Sequence, residues 1–500
     1  MDKSKEFLIS VIIPVYKVED YLQECLDSVA AQSIGMDRIQ VILINDGSPD
    51  DSEAVCLRFR DRYPDNVVYI AQENAGVAAA RNKGIELAAG RLTTFLDGDD
   101  KWSPDAFETA SRAADANPDI EVFSCKMEFF DAETGDHQLN YKYGSDRIID
   151  IHEIHDYPQL SSSSVFIRTD IVKDHGYTEG IRYSEDFRFI NEIILETGRY
   201  MVLKDPVYYY RRRQSGSSAI QSSVSAADYY IPTVENVYKH LFALSSEKYG
   251  EVIRYMQFCV MYDLRARLKL PLSDSGLSDA DAEKYVSLLK ELLSQIDDDI
   301  ILEQKRIALC VQLYALELKY GEPLGGRLKA DGSGLISYMD RPVFDIPRKT
   351  IIRVTDVALS ESGQDMIISG TVTIPFCEER FSLHYYVNDV RYDLPLTKTN
   401  KDAKTYLFGV LRSDYDFEIT VPTDPRSGSA GETEVRFEAC FDDVAVTSRP
   451  KCSTGTSLDG KLGNVSLGDS LIYRKGTSLI ITRAALSNKA SALFQRLKRH

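Results

Sequence analysis

Five hundred residues exceed what one hydrophobic core serves, so the chain is expected to fold as two to four domains. With 43% hydrophobic and 27% charged residues, it has the make-up of an ordinary globular protein rather than a disordered or fibrous one. A net charge of -18 argues against general nucleic-acid binding, which needs Lys and Arg spread over a face to neutralise phosphates.

Phe7–Ile13 is a β-rich run too apolar to be half exposed, stopped by Pro14, as expected of a central strand in a parallel sheet. Tyr21, Leu22, Cys25, Leu26 and Val29 follow at helical spacing. Gln40–Ile44 is a second buried strand ending in the polar turn Asn45–Asp51, which supplies caps for a helix over Glu53–Arg62. Val67–Ala71 is a third strand, and Val77–Ala89 an Ala-rich helix with Gly90 at its expected end. Arg91–Leu96 is a fourth strand, running into Asp97-Gly98-Asp99-Asp100, where Asp100 is expected to cap a helix starting near Pro104. This alternation builds an open α/β sheet with right-handed crossovers, whose ligands lie beyond the carboxyl ends of the strands. Pro14-Val15-Tyr16, Asp46 and Asp97-Gly98-Asp99 should therefore converge on one crevice.

Residues 225–320 are helical in period, as in Tyr285, Leu288, Leu289, Leu292 and Leu293, and read as a motif-free helical linker domain. Gly321–Pro347 looks like a boundary, and Gly325-Gly326 lacks the Lys-Ser of a phosphate loop. Over residues 350–450, short β-branched and aromatic runs separated by turn residues predict an antiparallel β-sandwich. Arg483–His500 sets Leu486, Leu493 and Leu497 opposite Lys489, Arg496, Lys498 and Arg499, a basic amphipathic helix that either docks on the protein or touches an anionic membrane. The expected boundaries are 1–221, 222–325, 326–347, 348–452 and 453–500.

The eight cysteines contain no Cys-x-x-Cys pair and read as small buried apolar residues; nothing favours a disulfide between Cys377 and Cys440. His152 and His155 are three residues apart without a third ligand and read as surface rather than a zinc site. No run reaches the roughly 18 apolar residues of a membrane span, and Met1–Glu6 does not resemble a leader. A cytoplasmic protein is expected, at most peripheral at the inner face of the membrane.

Asp97-Gly98-Asp99 at a strand end suits a divalent cation, Mn2+ or Mg2+, holding a diphosphate that becomes a leaving group. Such an ion needs hard oxygen ligands and open coordination positions. Asp99 is assigned to the metal, and Asp97 to a bridge between ribose and metal.

Four segments then occur in order: Ser10–Tyr16, Ile44-Asn45-Asp46-Gly47-Ser48, Asn74–Ile85 and Phe95–Asp100. Together they resemble the large family 2 of inverting glycosyltransferases with the GT-A fold. The resemblance implies that Pro14 and Tyr16 line a nucleobase pocket, that Asp46 bonds the base, and that Asn74 and Arg81 face a UDP-sugar donor. It also implies a catalytic carboxylate in an acidic pair before a helix, matched by Glu185-Asp186. Asp186 is assigned as the base that takes the acceptor's proton, with Glu185 orienting the acceptor. Tyr208-Tyr209-Tyr210-Arg211-Arg212-Arg213 resembles the family's Tyr-Arg segment over the diphosphate. Arg211 and Arg213 are favoured as donor ligands because alternate residues of an extended segment share a face.

The later regions are similar in architecture to bacterial enzymes that decorate teichoic acids or build capsular polymer. That implies a glycan or polyol-phosphate acceptor and makes the β domain a candidate for contact between copies of the chain. The alternative is a catalytically degenerate polysaccharide-binding or scaffold protein, against which stand the intact Asp46, Asp97, Asp99 and Asp186. A nucleotidyltransferase would carry a Gly-rich loop where this chain has Pro14-Val15-Tyr16-Lys17.

Overall fold

The computed structural model describes residues 6–213, 226–305, 307–362, 364–374, 376, 378–399, 405–406, 409–410, 413–422, 432–448, 451–452, 464–467, 470–475 and 477–483. The chain divides into two compact units, Met1–Gln304 and Lys305–His500.

The first unit is built on one mixed sheet. Its strands are β1 (Ile9–Val15), β2 (Ile39–Asp46), β3 (Val67–Gln72), β4 (Leu92–Phe95), β5 (Lys101–Trp102), β6 (Val122–Asp131), β7 (Gly135–Asp136), β8 (Arg147–Asp150), β9 (Val165–Arg168) and β10 (Arg199–Arg212). They lie in the order β3-β2-β1-β4-β9-β6-β10-β5, with β7 beside β6 and β8 beside β10. The first four are parallel, β9 is antiparallel to both its neighbours, and β10 is parallel to β6. Helices α1 (Leu22–Ala30), α2 (Ser52–Arg62), α3 (Val77–Leu87), α4 (Ala106–Ala116), α5 (Thr169–Asp174) and α6 (Glu185–Thr197) cover the faces. Every residue of β2 and β4 is buried, as strands covered on both faces require.

Close packing sets the strand ends accurately. Helix α3 lies so near β1 that a Cβ on Gly84 would be 2.3 Å from Cγ2 of Ile12. Gly90 is not the helix end expected from the sequence: α3 stops at Leu87 with Ala88 extended. It is needed because a Cβ there would lie 2.5 Å from the backbone nitrogen of Ser10. The buried hydroxyl of Ser10 donates to Gln40 Oε1 at 2.6 Å and accepts from the Gly90 amide at 2.8 Å, so these polar groups are satisfied.

The helical stretch expected as a separate linker domain is divided between the units. Helices Lys239–Tyr249, Arg254–Leu268, Asp279–Ser294 and Asp298–Glu303 lie in the first unit, whereas Leu309–Tyr320 lies in the second. The reason is packing on α6: Phe187 meets Tyr238 edge to face, Arg188 donates to the Asn236 carbonyl at 2.8 Å, and His240 pairs with Glu192 at 2.7 Å.

The second unit is mostly β. Asp365–Ile374 pairs with Ile351–Leu359 and Ser413–Pro422, and Glu432–Phe441 pairs with Phe381–Val387, Val444–Ser448 and Ser478–Arg483. Burial alternates along Asp365–Ile374 and Ser413–Pro422, and Phe417 of one sheet meets Phe437 of the other with ring centroids 5.7 Å apart. The second sheet also recruits Asn464–Leu467 and Ser470–Lys475, past the expected domain edge at residue 452. Among the described residues one trio of potential metal ligands stands out, His384, Glu438 and Cys440. Arg391 already sits 2.9 Å from Glu438 and 3.6 Å from Cys440 Sγ, while the two ring nitrogens of His384 face Asp393 and Ser382. No helix among the described residues is long and apolar enough to cross a membrane. The basic segment expected to form a terminal helix lies, from residue 484 onward, outside the described residues.

Candidate active site

At the ends of the parallel strands, Asp46 closes β2 and spends its carboxylate on the next loop. Oδ1 accepts from the Ala75 amide at 2.9 Å and Gln72 Nε2 at 2.8 Å, and Oδ2 accepts from the Gly76 amide at 2.9 Å. Asp46 thus shapes the loop that carries Asn74 into α3. Gly47, at φ +67°, makes that approach available, because a Cβ would lie 2.9 Å from the Asn74 amide. Tyr16 is among the few exposed aromatics, and Pro14 lies two residues before it in β1. Gly98 presses on the same strand end, since its Cβ would meet Val18 at 3.0 Å and the Pro14 carbonyl at 3.5 Å.

The three acids after β4 have three different settings. Asp100 does not cap α4, which starts at Ala106 after Asp105. It is buried and accepts from the Tyr208 hydroxyl at 2.7 Å and the Arg211 amide at 2.8 Å, so it fastens β10 to the strand end instead. Asp99 receives both Nε (2.8 Å) and Nη2 (2.5 Å) of Arg213. Arg211 donates to the Asp99 carbonyl at 2.8 Å but gives its other nitrogens to Asp131 and Glu24. Arg211 and Arg213 do share a face, yet Arg211 is held structurally and only Arg213 neutralises a site carboxylate. Burial, then the neighbouring Asp97 charge, holds Asp99 above the usual carboxylate range against the pull of Arg213. Hard oxygen donors with surplus negative charge are what a divalent cation requires, so Asp97 and Asp99 fit such an ion.

Arg81 is the surprise of the arrangement. The sequence suggests that it reaches a phosphate or base; instead it is 3% exposed and committed to carboxylates. It donates to Asp186 at 2.6 Å, Glu185 at 3.3 Å and Asp97 at 3.0 Å. A phosphate contact would require Arg81 to abandon buried acids, at a cost of several kcal/mol (about 3–5). Arg81 therefore ties Asp97, just after β4, to the acidic pair that opens α6. Burial and the adjacent Asp186 push Glu185 up to about 7, and burial first of all raises Asp186 against the pull of Arg81.

Both acids border a cavity of about 410 Å³, lined also by Arg81, Asp97, Lys142 and Arg212. Sequence reasoning missed its far wall. Lys142 is 2% exposed, donates to the Pro158 carbonyl and Gln159 Oε1 (both 2.7 Å), and is lowered to about 7 by burial. His137, also lining the cavity, is lowered by burial to about 4 and so stays neutral near pH 7. Ser163 reaches Asp97 at 3.4 Å, and Ser162 accepts from the Tyr177 hydroxyl at 2.6 Å. The run Ser161–Ser164 ahead of an apolar strand was the available signal; nothing local distinguishes His137 or Lys142.

The family model for glycosyl transferase family 2 matches residues 10–175. The minor teichoic acid biosynthesis protein GgaB of Bacillus subtilis is 30% identical across 84% of this chain and 47% of its own length. The minor teichoic acid biosynthesis protein GgaA of the same organism is 30% identical across 59% of this chain and 68% of its own. The crystal structure of S. aureus TarS aligns with 97% of this chain and 86% of its own at a TM-score of 0.53 and 16% identity, a likeness of fold. Its residues 1–349 in complex with UDP align at a TM-score of 0.50 and 18% identity, over 68% of this chain and 99% of that one. The chain belongs to glycosyl transferase family 2. It spans about half the length of GgaB, 47%.

Proposed function

We propose that the protein is an inverting glycosyltransferase that moves a sugar from a UDP-sugar to a hydroxyl of a cell-surface polymer, a teichoic acid or a related polyol-phosphate glycan. The observation that carries this reading is the bridge made by Arg81: one buried guanidinium joins Asp97, at the donor strand ends, to Glu185 and Asp186 on the cavity wall. In this reading the bridge brings a donor-side acid, Asp97, together with the proton acceptor, as a single displacement requires. The teichoic-acid assignment follows the names of GgaA and GgaB, and the uridine nucleotide follows the TarS complex.

In this reading the acceptor occupies the cavity and presents a hydroxyl to Asp186, which keeps more exposure than Glu185 (23% against 16%). The hydroxyl oxygen attacks the anomeric carbon, the bond from that carbon to the diphosphate oxygen breaks, and the proton passes to Asp186. Asp97 and Asp99 would hold Mn2+ or Mg2+, which supplies charge neutralisation for the departing diphosphate. Asp46 holds the loop bearing Asn74 beside the base pocket of Pro14 and Tyr16. Arg213 is the donor-side arginine, and Arg211 braces the backbone of Asp99. Arg212 and Arg182 give the cavity cations suited to an acceptor that carries phosphate.

The test is a melting-temperature screen of UDP-, GDP- and CMP-sugars with and without manganese. UDP-sugars are expected to stabilise the protein only with metal. Failure of every nucleotide to do so overturns the reading.

A further inference from the structure

Helix α6 begins from an unusual residue. Ser184, immediately before Glu185-Asp186, has φ 62° and ψ 24°, the left-handed region that a serine rarely occupies without support. Its carbonyl accepts from the Arg188 amide at 3.0 Å, so the direction in which α6 sets out depends on this conformation.

The support comes from residues some 80 positions later, on the helix Arg254–Leu268. The Ser184 hydroxyl donates to Asp263 Oδ2 at 3.0 Å and accepts from Arg267 Nη2 at 3.3 Å. The same Asp263 oxygen accepts from the Tyr238 hydroxyl at 2.6 Å and from Arg267 Nη1 at 3.1 Å. Arg267 is 1% exposed and uses all its N–H groups: the others go to the Tyr229 carbonyl (2.7 Å), the Tyr238 hydroxyl (2.6 Å) and Thr233 Oγ1 (3.3 Å). The guanidinium also lies over the Tyr229 ring, 4.0 Å from its centroid. A buried and fully bonded arginine has one geometry, and breaking any partner leaves a desolvated polar group, so the network is stiff.

We infer that Asp263 and Arg267 are positioning residues for the transfer reaction, holding Ser184 left-handed so that Glu185 and Asp186 face the cavity in register. The helical region up to Gln304 is then a working part of the catalytic apparatus. This inference rests on the proposed transferase reading. It adds that the acidic pair is aimed by the helical region as well as charged by Arg81.

The test compares Ser184→Ala, Ser184→Gly and Asp263→Asn with the wild type. Measured are kcat for hydrolysis or transfer of the UDP-sugar selected by the melting screen, the donor-induced melting shift, and amide hydrogen exchange at Glu185–Arg188. Ser184→Ala and Asp263→Asn should lower kcat roughly 10- to 100-fold while leaving the donor-induced shift intact, since a small misplacement of a reacting group costs about that much. Both should quicken exchange in the first turn of α6. Ser184→Gly, which adopts the left-handed region without strain, should retain more activity than Ser184→Ala, and adding it to Asp263→Asn should recover part of the loss. A kcat for Ser184→Ala equal to wild type, or a double variant no better than Asp263→Asn, overturns the inference. Hydrogen exchange reads the network without turnover, so a wild type inactive with every UDP-sugar would sink the transferase reading while exchange still judges the network.

Discussion

In the proposed reading, the donor side and the acceptor side of the site are built in opposite ways. The donor side gathers residues from the ends of neighbouring parallel strands, Pro14, Asp46, Asp97 and Asp99, each within a short contiguous motif. Asp46 is held by the backbone amides of Ala75 and Gly76 and Asp99 by Arg213, while Asp97 shares Arg81 with the acidic pair. The acceptor side draws on β6, the segment 137–143, the serine run 161–164 and the start of α6. There the groups are buried and strongly perturbed: Glu185 is raised to about 7, Lys142 lowered to about 7 and His137 to about 4. In the proposed reading the donor side must admit and release a charged nucleotide, with Asp97 and Asp99 as the candidate cation ligands. A proton-transfer site needs a carboxyl tuned near working pH, and burial performs that tuning.

Asp186→Asn separates the two sides most sharply. Transfer should fall by about 10²–10⁴-fold while the metal-dependent melting shift with UDP-sugar persists. Loss of donor binding in that variant would mean that the acid serves the donor side. The reciprocal change, Asp99→Ala, should abolish the donor-induced shift, and a chelator should do the same to the wild type.

Arg81→Met attacks the joint between the sides. Three buried or half-buried carboxylates lose their shared partner, and about 3–5 kcal/mol of stability should go with it in chemical denaturation. A loss below about 1 kcal/mol would show that the acids relax without Arg81 and that the joint is weak.

The pH profile is a milder probe. Transfer should fall as the pH is lowered through a carboxylate range raised by burial, because Asp186 must lose its proton to act as a base. Stability should run the other way. Glu185 has a folded value of about 7 against an ordinary 4.5, so its contribution is complete below 4.5 and is lost as pH rises through 7. An activity limb in the ordinary carboxylate range would show that burial does not raise Asp186.

The smallest effect belongs to the scaffold under the donor side. Gly84→Ala drives a methyl against Ile12 and should cost about 1–3 kcal/mol with the pH profile unmoved.

The strand ends that would form the donor side were legible in the sequence, because strand ends and their turns are local events. An apolar run stops at Pro14, another at Asn45-Asp46, a third at Asp97, and an α/β sheet brings such ends together. Local pattern misled where packing decided. Gly90 looked like a helix end and is a contact with β1; Asp100 looked like a cap and is the anchor of β10. Arg81 carried a recognisable motif, but nothing near it in sequence announces Glu185 and Asp186, about a hundred positions later.

The sequence by itself determined the parallel α/β half, the placement of Asp46 and Asp97 at its strand ends and the acidic pair at the head of a helix. Each of these is a short pattern whose meaning depends on neighbours within a few residues. Only the tertiary structure decided that Arg81 faces carboxylates, that Lys142 and His137 form a cavity wall, and that Arg267 supports Ser184. Burial and charge coupling arise when distant segments exclude water together, and no local periodicity encodes that.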